Sequence, residues 1–259
     1  MQGLLPNSRM VNAIFDDANE GTKHLWKYPD TGTFDPDRNT NEFVAQLVDY
    51  RAHGLLAVTV SLMGGSVCGN DPEDKSHAQC SMRSYDKVVR GFTKDGDLVP
   101  AYFDRLERIL AETDRLGMAV FLQIFYPKQA FRLRSESAVM AVADNTVDWL
   151  SEKGFANVVF DVCNECDWND NAKFLGHLPS LLWPKHGDLI NRIRRRTESN
   201  GRKLIVSSAF IGGYMPNANQ LGYLDYANLH ANNLWCAFGP KQAETLPALP
   251  DTLLSRLSC

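Results

Sequence analysis

The sequence predicts an α/β protein of the (β/α)8 TIM-barrel type, with about six βα units present. Three observations predict it. Between residues 40 and 208 one pattern recurs four times: amphipathic helix, glycine, apolar strand, polar strand end. The strands are near-continuous apolar runs, as expected when both faces of a parallel sheet are covered. Their C-terminal ends carry Asp, Asn, Gln, Glu and Ser side chains, where a barrel enzyme presents its chemistry. A doubly wound sheet shares this grammar. Against that reading, no G-x-G-x-x-G follows any strand and no P-loop is present; Gly64-Gly65 is the nearest approach.

The elements follow in order. An opening strand is expected over Met10 to Phe15, ending in Asp16-Asp17, then a long polar and aromatic loop. NTNEFVAQLVDYRAHG places Phe43, Leu47 and Tyr50 at helical spacing and closes with Gly54 before LLAVTVSL. A longer loop follows, and loops of this length at strand ends usually build a site. PAYFDRLERILAETDRLG opens with Pro100, sets Phe103, Leu106, Ile109 and Leu110 on one face, and closes with Gly117 before MAVFLQIF. SAVMAVADNTVDWLSEKG closes with Gly154 before FANVVFDV, and GDLINRIRRRTESNG closes with Gly201 before RKLIVSSAF. Proline at a helix start and glycine just past its end use the two halves of one conformational asymmetry. Trp149, on the stripe with Val142 and Val147, is expected in the core. A sixth strand is expected over Tyr226 to Leu229. Residues 1–259 read as a single barrel domain with an atypical tail over 234–259.

Composition excludes several classes. Hydrophobic content of 44% and charged content of 22% are ordinary for a globular protein. A net charge of −4 argues against a general nucleic-acid or acidic-membrane binder. The basic run Arg192–Arg196 reads as the solvated end of a helix. No stretch approaches the roughly 20 apolar residues of a membrane span. The opening MQGLLPNSRM lacks a signal-peptide core, so the chain reads as soluble, with its compartment unknown and an upstream leader left open. The six cysteines form no spaced disulfide framework. Cys163 and Cys166 match C-x-x-C, but a redox pair opens a helix and a zinc site has a second pair, so both thiols are expected to be unbridged. His24, His53, His77, His177 and His186 have no partner spacing and are expected at the surface or at helix ends. No cofactor or metal is expected.

The chain is organised around NVVFDVCNECDW, Asn157 to Trp168. A short β-branched and aromatic run leads directly into Asn164-Glu165, with Asp161 inside the strand as a buried carboxylate that needs a partner. The strand-end residues Asp16, Asp17, Gln123, Tyr126, Asn164, Glu165, Ser207, Ser208, His230 and Asn232 suit carbohydrate chemistry. Trp26, Tyr28 and Trp168 either stack on sugar rings or pack the long loops. Asp16-Asp17 are loop caps and sugar contacts or, with His230, ligands of a metal. Glu165 is an acid or a structural strand-end carboxylate.

At these residues the sequence resembles the cellulase-type glycoside hydrolases of family 5, in the clan of retaining (β/α)8 glycosidases. The resemblance rests on Asn164-Glu165 after the fourth strand and His230 after the sixth, in YANLHANN, and spans roughly residues 10 to 233. It implies hydrolysis of O-glycosidic bonds in β-linked glycosides or polysaccharides, without cofactor. Glu165 would be the general acid/base, Asn164 would bond the sugar 2-hydroxyl, and His230 would support the site. Gln123 and Tyr126 stand where the family has a third-strand histidine, and Asn232 replaces its usual tyrosine. Such cleavage needs one protonated carboxyl group and, for retention, a second ionised one roughly 5 Å away. Partial burial and the like charge of that second group keep the acid protonated near neutral pH.

The second carboxylate, which the resemblance places after a seventh strand, has no counterpart in the sequence. After His230 only 29 residues remain, and Glu244 is the only glutamate among them, outside any apolar strand. The change of character after Asn233 reads as a truncated or frame-shifted end. The expectation is therefore a glycosidase-like chain lacking its nucleophile, with turnover well below that of the family. The alternatives are an inactive carbohydrate-binding or vestigial barrel, and a metal-dependent hydrolase on the same fold using Asp16, Asp17 and His230.

Overall fold

The computed structural model describes residues 7–9, 13–16, 23–63, 91–130, 133–165, 167, 181–182, 184–211 and 216–229. Their strands are β1 Asn7–Arg9, β2 Ala57–Ser61, β3 Ala119–Phe125, β4 Val158–Asn164, β5 Ile205–Phe210 and β6 Asn228–Leu229. The long helices between them are α1 Pro36–Ala52, α2 Pro100–Arg115, α3 Glu136–Lys153 and α4 His186–Ser199.

Each helix starts and stops where its local chemistry dictates. Asp35 caps α1, its carboxylate accepting the Arg38 N–H at 2.9 Å, and Ser135 caps α3 through the Ala138 N–H at 3.2 Å. Pro36 and Pro100 occupy first-turn positions of α1 and α2. All four helices are followed by a glycine in the left-handed region, with φ of 89° at Gly54, 64° at Gly117, 84° at Gly154 and 74° at Gly201. That conformation turns the chain back towards the next strand at little steric cost.

The strands pair in parallel in the order β1-β2-β3-β4-β5-β6, each beside its neighbour in sequence. A doubly wound sheet reverses direction at a switch point; none occurs among the described strands, whose winding is that of a (β/α) barrel. One face carries Val58, Val60, Val120, Leu122, Val158, Phe160 and Val206, all buried in one core with Leu106, Ile109, Leu110, Val142, Leu189 and Ile190 of the helices. At roughly 1.5–3 kcal/mol for each large apolar side chain buried, this face supplies most of the hydrophobic stabilisation. The opposite, inner face is different. Towards its N-terminal end lie half-buried Phe121 and Val159 and the 49% exposed Ile205; at the level above, every residue from β2 to β5 is polar. Tyr226 covers part of the apolar level, its ring edge-on to Phe121 at 5.9 Å.

Two expectations are corrected. The first strand is Asn7–Arg9, not Met10 to Phe15. Ala13 and Ile14 form a turn, and Phe15 packs edge-on against Trp26 at 5.2 Å and Phe34 at 5.3 Å. The apolar run marked burial, which a turn can satisfy as well as a strand. His186 stands at a helix end, one of its two expected settings, but is buried there. It is 2% exposed at the start of α4, with Nε2 3.0 Å from the Tyr223 hydroxyl and its ring against Phe210. Its position beneath the Phe210 end of β5 required the tertiary packing, not the helix pattern. Cys163 is not a free thiol but is bonded in a disulfide. The sequence context spoke only against a redox or zinc role and placed no constraint on a structural bridge; Cys166 lies outside the described residues. Trp149 is packed on the core with its ring edge-on to Phe103 at 5.0 Å. No described helix is long and apolar enough to cross a membrane.

Candidate active site

The C-terminal end of β4 departs from regular strand geometry at the residues that carry the candidate chemistry. From Asp161 to Asn164 the chain takes three steps while β5 takes two, from Ser207 to Ala209. The one extra residue is a bulge, a device that re-aims side chains at strand ends. It restores Asn164 to the row of Ala209 and Asn228, on the same face as Asp161. Glu165 follows with φ 54°, the only described non-glycine residue in the left-handed region. Its N–H donates to the Ala209 carbonyl at 3.0 Å, and its side chain is half-buried. A left-handed residue with a Cβ carries roughly 1–3 kcal/mol of strain, and such strain gathers at functional positions.

Beneath this pair lies a row of four polar residues in register on adjacent strands: Ser61, Gln123, Asp161 and Ser207. None is more than 2% exposed. Buried polar groups are tolerated only when hydrogen-bonded, and these are. Ser61 Oγ donates to Gln123 Oε1 at 2.8 Å, and Gln123 Nε2 donates to Asp161 Oδ2 at 2.9 Å and to Asn164 Oδ1 at 3.1 Å. Asp161 Oδ1 accepts the Ala209 N–H at 2.9 Å, and its Oδ2 also accepts Asn228 Nδ2 at 3.3 Å. Ser207 Oγ donates to the Tyr226 carbonyl, and Ser208 Oγ to the Cys163 carbonyl inside the bulge at 2.9 Å. Burial, and then the nearby Asp161 charge, push the Tyr226 phenol far above its usual value. Just beyond Glu165, Asp167 Oδ1 accepts the Ile211 N–H at 3.0 Å, tying the departing loop to the end of β5.

The structure thus brings together Gln123, Asn164 and, next in the chain, Glu165, and it supplies the partners of Asp161 that sequence reasoning lacked. Ser61 and Asn228 belong to the same network and escaped notice. Their signal was a polar residue at matching depth on successive strands, readable only once the register is known. Tyr126 follows β3, half-buried against the core. Asp16 is held elsewhere, by Arg105 of α2 at 2.8 Å, with Arg105 only 3% exposed. Trp26 sits on Phe15. Asp17, Trp168, His230, Asn232 and Glu244 lie outside the described residues. Among the described residues no three His, Cys, Asp or Glu side chains are grouped to hold a metal ion.

A parallel sheet wound in one direction, with its helices packed on the outer face, has the architecture of a (β/α) barrel. No protein-family model matches the sequence, and no curated protein matches it. Solved structures do. The chain is similar to the β-mannanase of the blue mussel Mytilus edulis, with TM-score 0.51 and 13% identity over 92% of this chain and 72% of that one. It is similar to the AHE enzyme from Alicyclobacillus herbarius, with TM-score 0.50 and 11% identity over 86% of this chain and 52% of that one. A family 5 glycoside hydrolase from Bacteroides vulgatus is matched with TM-score 0.42 and 14% identity over 72% of this chain. The chain spans 36% of that hydrolase's length. At these identities the likeness is one of fold.

Proposed function

We propose that this chain is a glycoside hydrolase of the family 5 type, acting on β-linked glycosides or polysaccharides with Glu165 as general acid/base. The observation that carries the reading is the left-handed backbone of Glu165 (φ 54°), directly after a bulge that sets Asn164 into the inner polar layer. Strain of this kind at a carboxylate ending a barrel strand supports a chemical role over a structural one. Glu165 protonates the departing glycosidic oxygen and later takes a proton from the incoming water. Asn164 bonds the sugar 2-hydroxyl. His230, Asp17, Trp26, Trp168 and Asn232 are the candidates for the remaining sugar contacts, and Tyr126 borders them after β3. Retention requires a second, ionised carboxylate roughly 5 Å from the acid. Glu244 is the only glutamate after His230 and the first residue to substitute in search of it.

The test compares aryl β-glycosides with good and poor leaving groups. A protonating role predicts that Glu165→Gln loses on the order of 100-fold or more in kcat/KM on the poor leaving group. It predicts far less loss on a dinitrophenyl glycoside, which departs without a proton. Equal losses on both substrates would remove Glu165 from the acid role. Sugar binding by calorimetry without turnover of either substrate would favour an inactive carbohydrate-binding barrel.

A further inference from the structure

We propose that Asp161 is a positioning residue that sets the hydrogen-bond polarity of the inner network and so fixes which end of the Asn164 amide faces substrate. The functional half of this proposal rests on the glycosidase reading above; the structural half does not. Asp161 is 2% exposed, and its hydrogen-bond partners include Gln123, Ala209 and Asn228, each donating an N–H to it. An ionised carboxylate accepts hydrogen bonds and cannot donate them. Gln123 must therefore turn its NH2 group towards Asp161. The Gln123 carbonyl then faces Ser61 Oγ, which donates to it at 2.8 Å. The same NH2 group meets Asn164 at 3.1 Å, so Asn164 must present Oδ1 inward and its own NH2 away from Gln123. Amide orientations are ordinarily ambiguous between oxygen and nitrogen. Here one acceptor-only group at the centre of the string removes the ambiguity at two amides in turn.

The bulge makes this control possible. Regular alternation would put Cys163 beside Asp161 on the inner face and turn Asn164 towards the helices. The extra residue exchanges them. The Ala209 N–H, which a regular parallel ladder would direct to a β4 carbonyl, instead donates to Asp161 Oδ1 at 2.9 Å. Its carbonyl accepts the Glu165 N–H at 3.0 Å. One carboxylate thus secures the bulge on one side and orients Asn164 through Gln123 on the other.

Asp161→Asn keeps the size and removes the constraint. The new amide satisfies the Ala209 N–H with its oxygen and offers its NH2 to Gln123 and to Asn228, whose own NH2, a donor to Asp161 in the unaltered protein, must turn away. Gln123 then rotates its carbonyl inward and its NH2 to Ser61, and Asn164 turns its oxygen outward. Nuclear Overhauser contacts of the Gln123 side-chain NH2 protons report this directly. They are expected to be stronger against Asn164 than against Ser61 in the unaltered protein, and the reverse in Asp161→Asn. Stronger contact with Ser61 than with Asn164 in the unaltered protein, a measurement that does not depend on any variant folding, would overturn the proposal. So would unchanged contact with Asn164 in the variant. In turnover, Asp161→Asn should lower kcat/KM about 10- to 100-fold on a β-glycoside bearing the 2-hydroxyl and less than about 3-fold on its 2-deoxy analogue. Equal losses on the two substrates would refute the functional half. Absence of turnover in the unaltered protein would sink the glycosidase reading, while the Overhauser contacts still decide the network.

Discussion

Replacing Glu165 by glycine should remove the acid and yet leave the protein more stable than replacing it by alanine. Glu165 holds φ 54°, where any residue with a Cβ is disfavoured by about 1–2 kcal/mol. Alanine keeps that strain and glycine releases it. Against the gain stands the greater unfolded-state entropy of glycine, about 0.4–1 kcal/mol. The net advantage of Glu165→Gly over Glu165→Ala is therefore about 0.5–1 kcal/mol, or roughly 1–4 °C in Tm for a chain of this size. Gly117 supplies the mirror experiment. It has φ 64° with nothing within 4 Å of an added Cβ, so Gly117→Ala isolates the backbone term and should lose a comparable amount. Urea denaturation of the four proteins measures both differences. Glu165→Gly melting below Glu165→Ala, with Gly117→Ala destabilised as expected, would show that the residue after β4 is not held in the left-handed region. The argument from strain to function would then fail.

Two further outcomes follow from buried charge. Asp16→Ala should destabilise the protein by about 2–3 kcal/mol, because it takes from Arg105, only 3% exposed, its 2.8 Å partner and leaves it the Asp37 carboxylate at 4.0 Å. A sugar-contact role would instead raise KM and leave the urea midpoint alone. The second outcome concerns pH. Burial lowers the His186 imidazole from 6.5 to about 4. Above pH 6.5 it is neutral in both states; below that the unfolded chain takes up a proton that the folded one refuses, so its contribution to stability falls until about pH 4. The stability difference between the unaltered protein and His186→Gln should shrink by about 2 kcal/mol from pH 7 to pH 4.5, and a constant difference would contradict the burial.

Local rules reached the helices and stopped at the register. Gly54, Gly117, Gly154 and Gly201 were readable as helix ends because a left-handed cap is a property of a few consecutive residues. The first strand was misread because apolarity reports burial: Ile14 and Phe15 are buried in and beside a turn, while Asn7–Arg9, with no apolar residue, pairs with Ala57–Thr59. Asp161 announced its need for a partner, but Gln123 is 38 residues away and Ser61 another 62 from Gln123. Only the strand pairing says that they stand side by side. Nor does VCNEC contain a glycine or proline to mark the bulge. The bulge follows from the partners waiting for Asn164 on neighbouring strands rather than from the residues that form it.

The same pairing explains why two irregularities occur together. Asn164 and Glu165 are adjacent, and strict strand alternation sends one of two adjacent residues to each face. On this sheet the face opposite the polar row is an apolar core with Phe160 and Val206 fully buried. A carboxylate directed there would lack the hydrogen bonds its burial demands. The bulge gives Asn164 the inner face, and the left-handed turn at Glu165 ends the alternation before the carboxylate is committed to the apolar one. Either device alone fails. With the bulge but a β conformation at Glu165, the acid turns towards the helices. With the turn but no bulge, Asn164 loses Gln123. The strain at Glu165 is thus the condition for holding an amide and a carboxyl group from consecutive residues at one strand end. This is why the stable substitution at this position, glycine, is also the one that removes the acid.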